Sequence, residues 1–280
     1  MARDQAPQRA LQRALQRQSG HTLLEWLVAS ALGLVVLAGT LTLYRSQRET
    51  FIRSADAASM REAGAAALIV IGQHIQMAGY APVDRPPLRA RVMPGVFGCQ
   101  SARPVAGGVY GEPRCALASS DADESDAIVV RYADDGVATW RNRSGQPTDC
   151  LGQGVEREGE YAVIVNQFYA ALPSGREEPE LYCFGNGHAT PQPIVEGIER
   201  LTLRYWLRGA AEPAGAGEID GAQWSNVVAV DLCVVVRGRR ANAAKTFVDC
   251  DGRRVASPDG RGRLSLSRHL VLRNHEERVF

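Results

Sequence analysis

The sequence predicts an α+β fold: a long N-terminal helix, membrane-spanning in its first half and amphipathic in its second, followed by a β-rich globular domain that contains disulfides. Three observations carry this expectation. No proline interrupts residues 8–81, and within that stretch Trp26 to Tyr44 form 19 consecutive uncharged residues. Past Pro82 the chain turns to β-branched, aromatic and alternating apolar segments separated by Gly/Pro-rich connections. All six cysteines, Cys99, Cys115, Cys150, Cys183, Cys233 and Cys250, lie beyond the apolar run.

The first 20 residues carry Arg3, Arg9, Arg13 and Arg17 against Asp4, so their removal would leave a weakly acidic product. The uncharged run that follows would span about 28 Å as a helix, close to the thickness of a bilayer's hydrocarbon core. An ordinary secretory signal has a shorter apolar region with a small-residue cleavage site at its end. Here Ala29, Ser30 and Ala31 sit inside the run. Glu25, five residues after Gly20, stands at the margin of a lipid-facing helix, where an uncompensated carboxylate is costly. Ser19-Gly20 supplies a flexible junction ahead of that helix.

With its basic leader and Gly20-His21-Thr22-Leu23-Leu24-Glu25 running into the apolar helix, the chain resembles the class III signal of type IV prepilins. The resemblance implies cleavage by a prepilin peptidase between Gly20 and His21. It also implies methylation of the new N-terminal amine, and an assembly role for Glu25 in neutralising the amine of a neighbouring subunit. A buried carboxylate paired with a cation is tolerated in this way. His21 stands where the family usually carries an apolar residue.

After Tyr44 the chain keeps good helix formers, and the helix is expected over residues 22–78. Ala57, Met60, Ala63, Ala67, Val70, His74 and Met77 recur every three or four residues, marking the face expected to pack on the downstream domain. His74 reads as an interface residue, since no second metal ligand is placed beside it. Gly33, Gly39 and Gly64 are candidate bends or close-packing points. Gly79-Tyr80-Ala81-Pro82 supplies the stop.

The run Ile71 to Tyr80 resembles the end of the long helix in the PilW family of type IV minor pilins, with Gln76 where an arginine is common. Further matches are Ser125 to Tyr132, Val195 to Tyr205, Trp224 to Val230 and Leu270 to Asn274. Read from the residues, candidate strands are 127–132, 161–169, 181–184, 198–207, 227–236 and 264–272, with long loops at 82–113 and 209–221.

The cysteines contain no C-x-x-C, so zinc-ribbon and thioredoxin-type sites are poorly supported. An even, dispersed set suits structural disulfides in an oxidising compartment. Sequential pairing (Cys99 with Cys115, Cys150 with Cys183, Cys233 with Cys250) closes the shortest loops among the 15 possible pairings. Oxidation would place everything after Tyr44 in the periplasm, because the arginines flanking the apolar run are nearly balanced and do not orient it.

No acyl-transfer, zinc-hydrolase, P-loop or dinucleotide fingerprint is present. Asp121, Asp123 and Asp126 form a weak calcium candidate lacking the glycine and distal glutamate of an EF-hand, and a solvated turn is the simpler reading. Arg237, Arg239, Arg240 and Lys245 read as a solvated hairpin. With a formal net charge of +1 there is no strong nucleic-acid signal.

The organisation expected is a cytoplasmic leader over 1–20, an N-terminal helix over 21–80 crossing the inner membrane at about 24–44, and a periplasmic β-rich domain over 81–280. The function implied by the resemblance is that of a non-enzymatic minor pilin with no cofactor. It would help prime type IV pilus assembly and reside in the pilus, with adhesion, twitching motility or DNA uptake downstream. Its partners would be the prepilin peptidase, other minor and major pilins and the inner-membrane assembly platform. A minor pseudopilin of a type II secretion system is the near alternative, and a membrane-tethered periplasmic enzyme or binding protein the distant one.

Overall fold

The structure, a computed structural model, describes residues 22–82, 86–105, 113–117, 125–136, 139–188, 190–241 and 245–274. It divides into two compact units after Ser54. The first unit contributes the start of helix α1 (Leu23–Met77), whose apolar residues from Leu23 to Tyr44 are exposed along its sides. This is the one helix among the described residues long and apolar enough to cross a membrane.

The second unit begins within α1 and contains all the strands. A five-stranded antiparallel sheet has the order β1 (Val96–Cys99), β4 (Ala127–Ala133), β5 (Val163–Ala171), β6 (Glu180–Gly185), β7 (Gln192–Glu196). A three-stranded antiparallel sheet has the order β12 (Arg261–Val271), β9 (Val227–Ala241), β8 (Ile198–Leu207). Two hairpins, β2 (Ala102–Val105) with β3 (Arg114–Leu117) and β10 (Thr246–Val248) with β11 (Arg254–Ala256), complete the strands. The expected loop over 82–113 thus contains a short helix α2 (Pro86–Val92), β1 and β2. These elements are only four to seven residues long, too short for periodicity to separate them from a loop.

One contiguous core joins α1 to both sheets, through Ala67, Leu68, Ile71 and Ile75 from the helix, Ile128, Ile164 and Phe168 from the first sheet, and Leu203, Leu232 and Leu270 from the second. The buried helix face centres on Gly64, Ala67, Leu68, Ile71, Gly72 and Ile75. Of the stripe read from sequence Ala67 is fully buried in this face, while Met60, Ala63, Val70, His74 and Met77 lie along its margin, partly buried. The offset has a simple cause: Leu68-Ile69-Val70-Ile71 is apolar all round the helix, so spacing alone cannot select a face. Gly64 and Gly72 let the helix approach β12 closely. A Cβ at Gly64 would collide with Leu266 and stand 3.0 Å from Val236 Cγ2, and one at Gly72 would stand 3.2 Å from Leu270 Cδ2. Gly33 and Gly39 have no such neighbours.

Strand β4 is buried along its whole length. One of its faces looks into the core; on the other, Val129 and Ala133 join Val163 and Val165 of β5 in a cluster with Leu88 and Val92 of α2. The helix end is fixed twice. Gly79 adopts φ +71°, a left-handed conformation that glycine takes without steric cost, and its N–H donates to the Arg131 carbonyl at 2.9 Å. The Asn274 side-chain amide, just beyond β12, donates to the carbonyls of Gln76, Met77 and Ala78 at 3.3, 3.4 and 3.4 Å.

The disulfides are Cys99–Cys115, Cys150–Cys183 and Cys233–Cys250, closing separations of 16, 33 and 17 residues. They tie β1 to β3, the segment before β5 to β6, and β9 to the turn after β10. Each is worth about 2–4 kcal/mol. Of the basic residues read as solvated, Arg239, Arg240 and Lys245 are exposed, whereas the Arg237 side chain is largely withdrawn from solvent. Arg237 lies within 3.8 Å of Glu199 and 3.6 Å of Asp259, and Arg239 pairs with Glu196. Beside them the nearly buried Arg263 grips Glu199 at 2.6 and 2.7 Å and Asp259 at 2.7 Å, and hydrogen bonding from Arg263 holds the Asp259 carboxyl well below the usual carboxylate range.

The helix-to-sheet contact sets a direct expectation. Ile71→Ala, at a fully buried position, should destabilise the full chain by about 2–5 kcal/mol in urea denaturation, whereas Ile69→Ala, at a position 49% exposed, should change stability by less than about 0.5 kcal/mol. Equal losses at the two positions would contradict the observed helix face.

Candidate functional site

The helix start is a reciprocal cap. The Glu25 carboxylate accepts the Thr22 N–H at 3.0 Å, and the Thr22 hydroxyl accepts the Glu25 N–H at 3.3 Å. Thr-x-x-Glu is the spacing of a capping box, which satisfies two of the backbone donors a helix leaves open at its N-terminus. Thr22-Leu23-Leu24-Glu25 therefore carries a local structural function that a reading centred on the carboxylate's charge passes over. Positioned here, the carboxylate also meets the positive end of the helix dipole. Gly20 and His21 lie outside the described residues.

At the other end of α1 a groove of about 620 Å³ opens between its last turns and residues that include Asp135, Thr139, Trp140, Thr148 and Asp149. Trp140, 84% exposed, stands on its lip. Its carbonyl accepts both the N–H and the hydroxyl of Thr148 at 2.9 Å, which fixes the hairpin that carries it. His74 lines the groove, and its Nδ1 lies 3.0 Å from the Tyr132 hydroxyl and 3.1 Å from the Asn166 amide nitrogen. Asn166 also donates to the Tyr132 hydroxyl at 3.3 Å, and its carbonyl oxygen accepts the Cys150 N–H at 3.0 Å.

An Nδ1 facing an amide NH₂, which can only donate, is an acceptor, so the neutral ring carries its proton on Nε2. Burial lowers the His74 pKa from 6.5 to about 4. It also pushes the Tyr132 phenol well up, and the nearby Asp149 charge acts in the same direction. Both groups are therefore neutral near pH 7, and the cluster holds α1 against β4 and β5 with no proton in play. His74 is an interface residue whose role is a specific polar contact in addition to packing.

Asp126 does not present free oxygens. Its Oδ1 accepts the Ser101 N–H at 3.0 Å and its Oδ2 the Leu203 N–H at 2.9 Å. Burial pushes its carboxyl up while those two amides oppose the shift. Asp121 and Asp123 lie outside the described residues, and among the described residues no three His, Cys, Asp or Glu side chains gather as a metal site.

The folded His74 binds its proton near pH 4 and the unfolded one near pH 6.5, so between those values the unfolded state holds more protons and stability falls as pH falls. The contribution is fully present above about pH 6.5, and about 2 kcal/mol of it should be lost between pH 7 and pH 5. Urea midpoints of the full chain at the two pH values, compared with His74→Gln, would reveal it. A variant with the same pH slope as the parent would refute this assignment.

Comparison with known proteins gives two family matches. Residues 167–274 match the PilW family, described as type IV pilus-assembly protein W, and residues 15–41 match the prokaryotic N-terminal methylation motif. No curated protein matches the chain. Among solved structures, a type IV-like pilin from Thermus thermophilus aligns with 78% of this chain and 97% of its own at 11% identity and a TM-score of 0.40. The matched N-terminal motif spans the Thr22–Glu25 cap and the first turns of α1, and the matched C-terminal segment includes β6–β12 and the helix-capping Asn274. This chain thus carries the prokaryotic N-terminal methylation motif over residues 15–41 and is similar to the type IV pilus-assembly protein W family over residues 167–274.

Proposed function

We propose that the chain is a minor pilin: a structural subunit that is processed by a prepilin peptidase, anchored by the first half of α1, and helps to prime assembly of a type IV pilus. The observation that carries this reading is the joint presence, in one chain, of the methylation motif over the start of a long apolar helix and the PilW match over residues 167–274 of the β-rich domain. In this reading residues 1–20 are a cytoplasmic leader removed between Gly20 and His21, residues 24–44 cross the inner membrane, and the β domain is periplasmic, where its three disulfides would form. The prepilin peptidase, other pilins and the assembly platform would be its partners.

Glu25 has a defined part in this reading. Before assembly its carboxylate is satisfied by its own helix start. In a filament it would exchange that contact for the N-terminal amine of a neighbour, a charge-assisted bond stronger than a neutral hydrogen bond. The minor pseudopilin reading shares the leader and the helix, and the PilW match favours the pilus.

Co-expression of the full chain with a prepilin peptidase should yield a product lacking residues 1–20 by intact mass, and Gly20→Val should abolish the cut. Glu25→Leu should leave the cut intact but reduce recovery of the chain in sheared pili at least about tenfold, the effect of losing about 1.4 kcal/mol of docking free energy. A chain that stays full length, or is cut near Ala31, would overturn the proposal.

A further inference from the structure

The two margins of the three-stranded sheet are treated differently. Along the middle of β8 the backbone N–H groups that point away from β9 have partners: Leu201 donates to Ser125 Oγ at 3.0 Å, Leu203 to Asp126 Oδ2 at 2.9 Å and Tyr205 to the Ala214 carbonyl at 2.8 Å. The opposite margin, β12, lacks this seal. Leu272 donates to the Val228 carbonyl and Leu270 is registered with Val230, so the even-numbered residues of the strand face β9 and the odd-numbered ones face outward. Among the described residues, the N–H groups of Ser267, His269 and Val271 have no partner. Ser267, Arg268, His269 and Val271 are exposed.

Proteins commonly blunt such an edge with proline, a bulge or an inward charge. The register irregularity of β12 falls at Arg261/Arg263, away from this stretch, and residues 264–271 contain no proline; the one arginine there, Arg268, lies on the α1 side of the strand and leaves the outward N–H groups open while setting the sign of charge a pairing strand must carry. We propose that the β12 margin from Ser267 to Val271 is a docking edge that accepts an extended, acidic strand from a different subunit by β-addition. The identification of the partner as a subunit rests on the assembly role above. Acidity is argued from charge: residues 261–274 contain Arg261, Arg263, Arg268, His269 and Arg273 and no carboxylate. Arg261 and Arg263 are held by Glu178, Glu199 and Asp259, and His269 meets Asp231 at 2.6 Å. Arg268 and Arg273 are left exposed beside the open edge. A second copy of the same strand would set like charges side by side, which disfavours self-pairing.

The geometry also specifies how to break the contact without breaking the fold. Proline at an outward-facing position removes a donor that β9 does not use. The test uses the full chain in detergent micelles and a synthetic peptide, Thr-Glu-Val-Glu-Val-Glu-Thr, read by hydrogen exchange. The peptide should slow exchange at Ser267, His269 and Val271 at least about tenfold. A peptide with Lys for Glu should not. Ser267→Pro should abolish the protection while leaving the circular dichroism spectrum and urea midpoint near those of the parent, and Ser267→Thr should retain it. No protection, equal protection by the lysine peptide, or protection that survives Ser267→Pro would overturn the proposal. So would protection that arises without peptide and grows with protein concentration, since the occupant would then be a second copy. If Ser267→Pro unfolds the chain, Arg268→Glu supplies the decision: it should cut affinity for the acidic peptide at least about tenfold, and unchanged affinity would overturn the proposal. The leader cut is read separately by mass, so failure of the assembly reading would leave an uncut chain whatever the peptide does.

Discussion

The contact on which the rest of the structure depends is the burial of one stripe of α1, from Gly64 to Ala78, against the inner faces of two sheets. Neither sheet has a complete core without it. Ile71 and Ile75 lie in the same cluster as Phe168 from one sheet and Leu232 and Leu270 from the other. Each fully buried aliphatic side chain contributes about 1.5–3 kcal/mol relative to exposure. The two glycines on that stripe set how closely helix and β12 approach. The same helix therefore serves two solvents: an apolar surface exposed from Leu23 to Tyr44, and a narrow buried stripe from Gly64 onward.

Polar groups then fix what apolar packing leaves free. A hydrophobic stripe can slide or rotate by a few residues at modest cost, whereas a hydrogen bond in a buried setting is expensive to leave unmade. His74, Tyr132 and Asn166 lock the rotation of α1 against the first sheet. Asn274 locks its end through three carbonyls, joining the segment just past β12 to a helix that ends nearly 200 positions earlier. Ser125 and Asp126 stitch the entrance of β4 to the margin of β8, coupling the two sheets. Arg263, Glu199 and Asp259 brace β12 against β8 across the three-stranded sheet, with bidentate geometry that makes the pairing stronger than an ordinary surface ion pair.

At the start of the helix a carboxylate stands beside an apolar surface. Glu25 is tolerated beside an apolar surface because Thr22 and the helix N-terminus compensate it locally. A cap of this kind is worth about 0.5–2 kcal/mol.

The sequence by itself determined the order of the parts. The proline-free start, the 19 uncharged residues and the position of Glu25 defined the N-terminal helix, because a membrane-length apolar run and a fixed charge are properties of composition and spacing. The six strands read from sequence correspond to β4, β5, β6, β8, β9 and β12, the strands whose apolar or alternating content is longest. What only the tertiary structure decided was the partition of these strands into two sheets, the short elements before β4, and the true buried face of α1. It also decided which charges are spent: Asp126 on backbone amides, Arg237 and Arg239 on carboxylates. Each of these outcomes depends on pairs of groups brought together from distant parts of the chain. A local pattern records what a residue prefers to bury or expose, but not which partner will meet it.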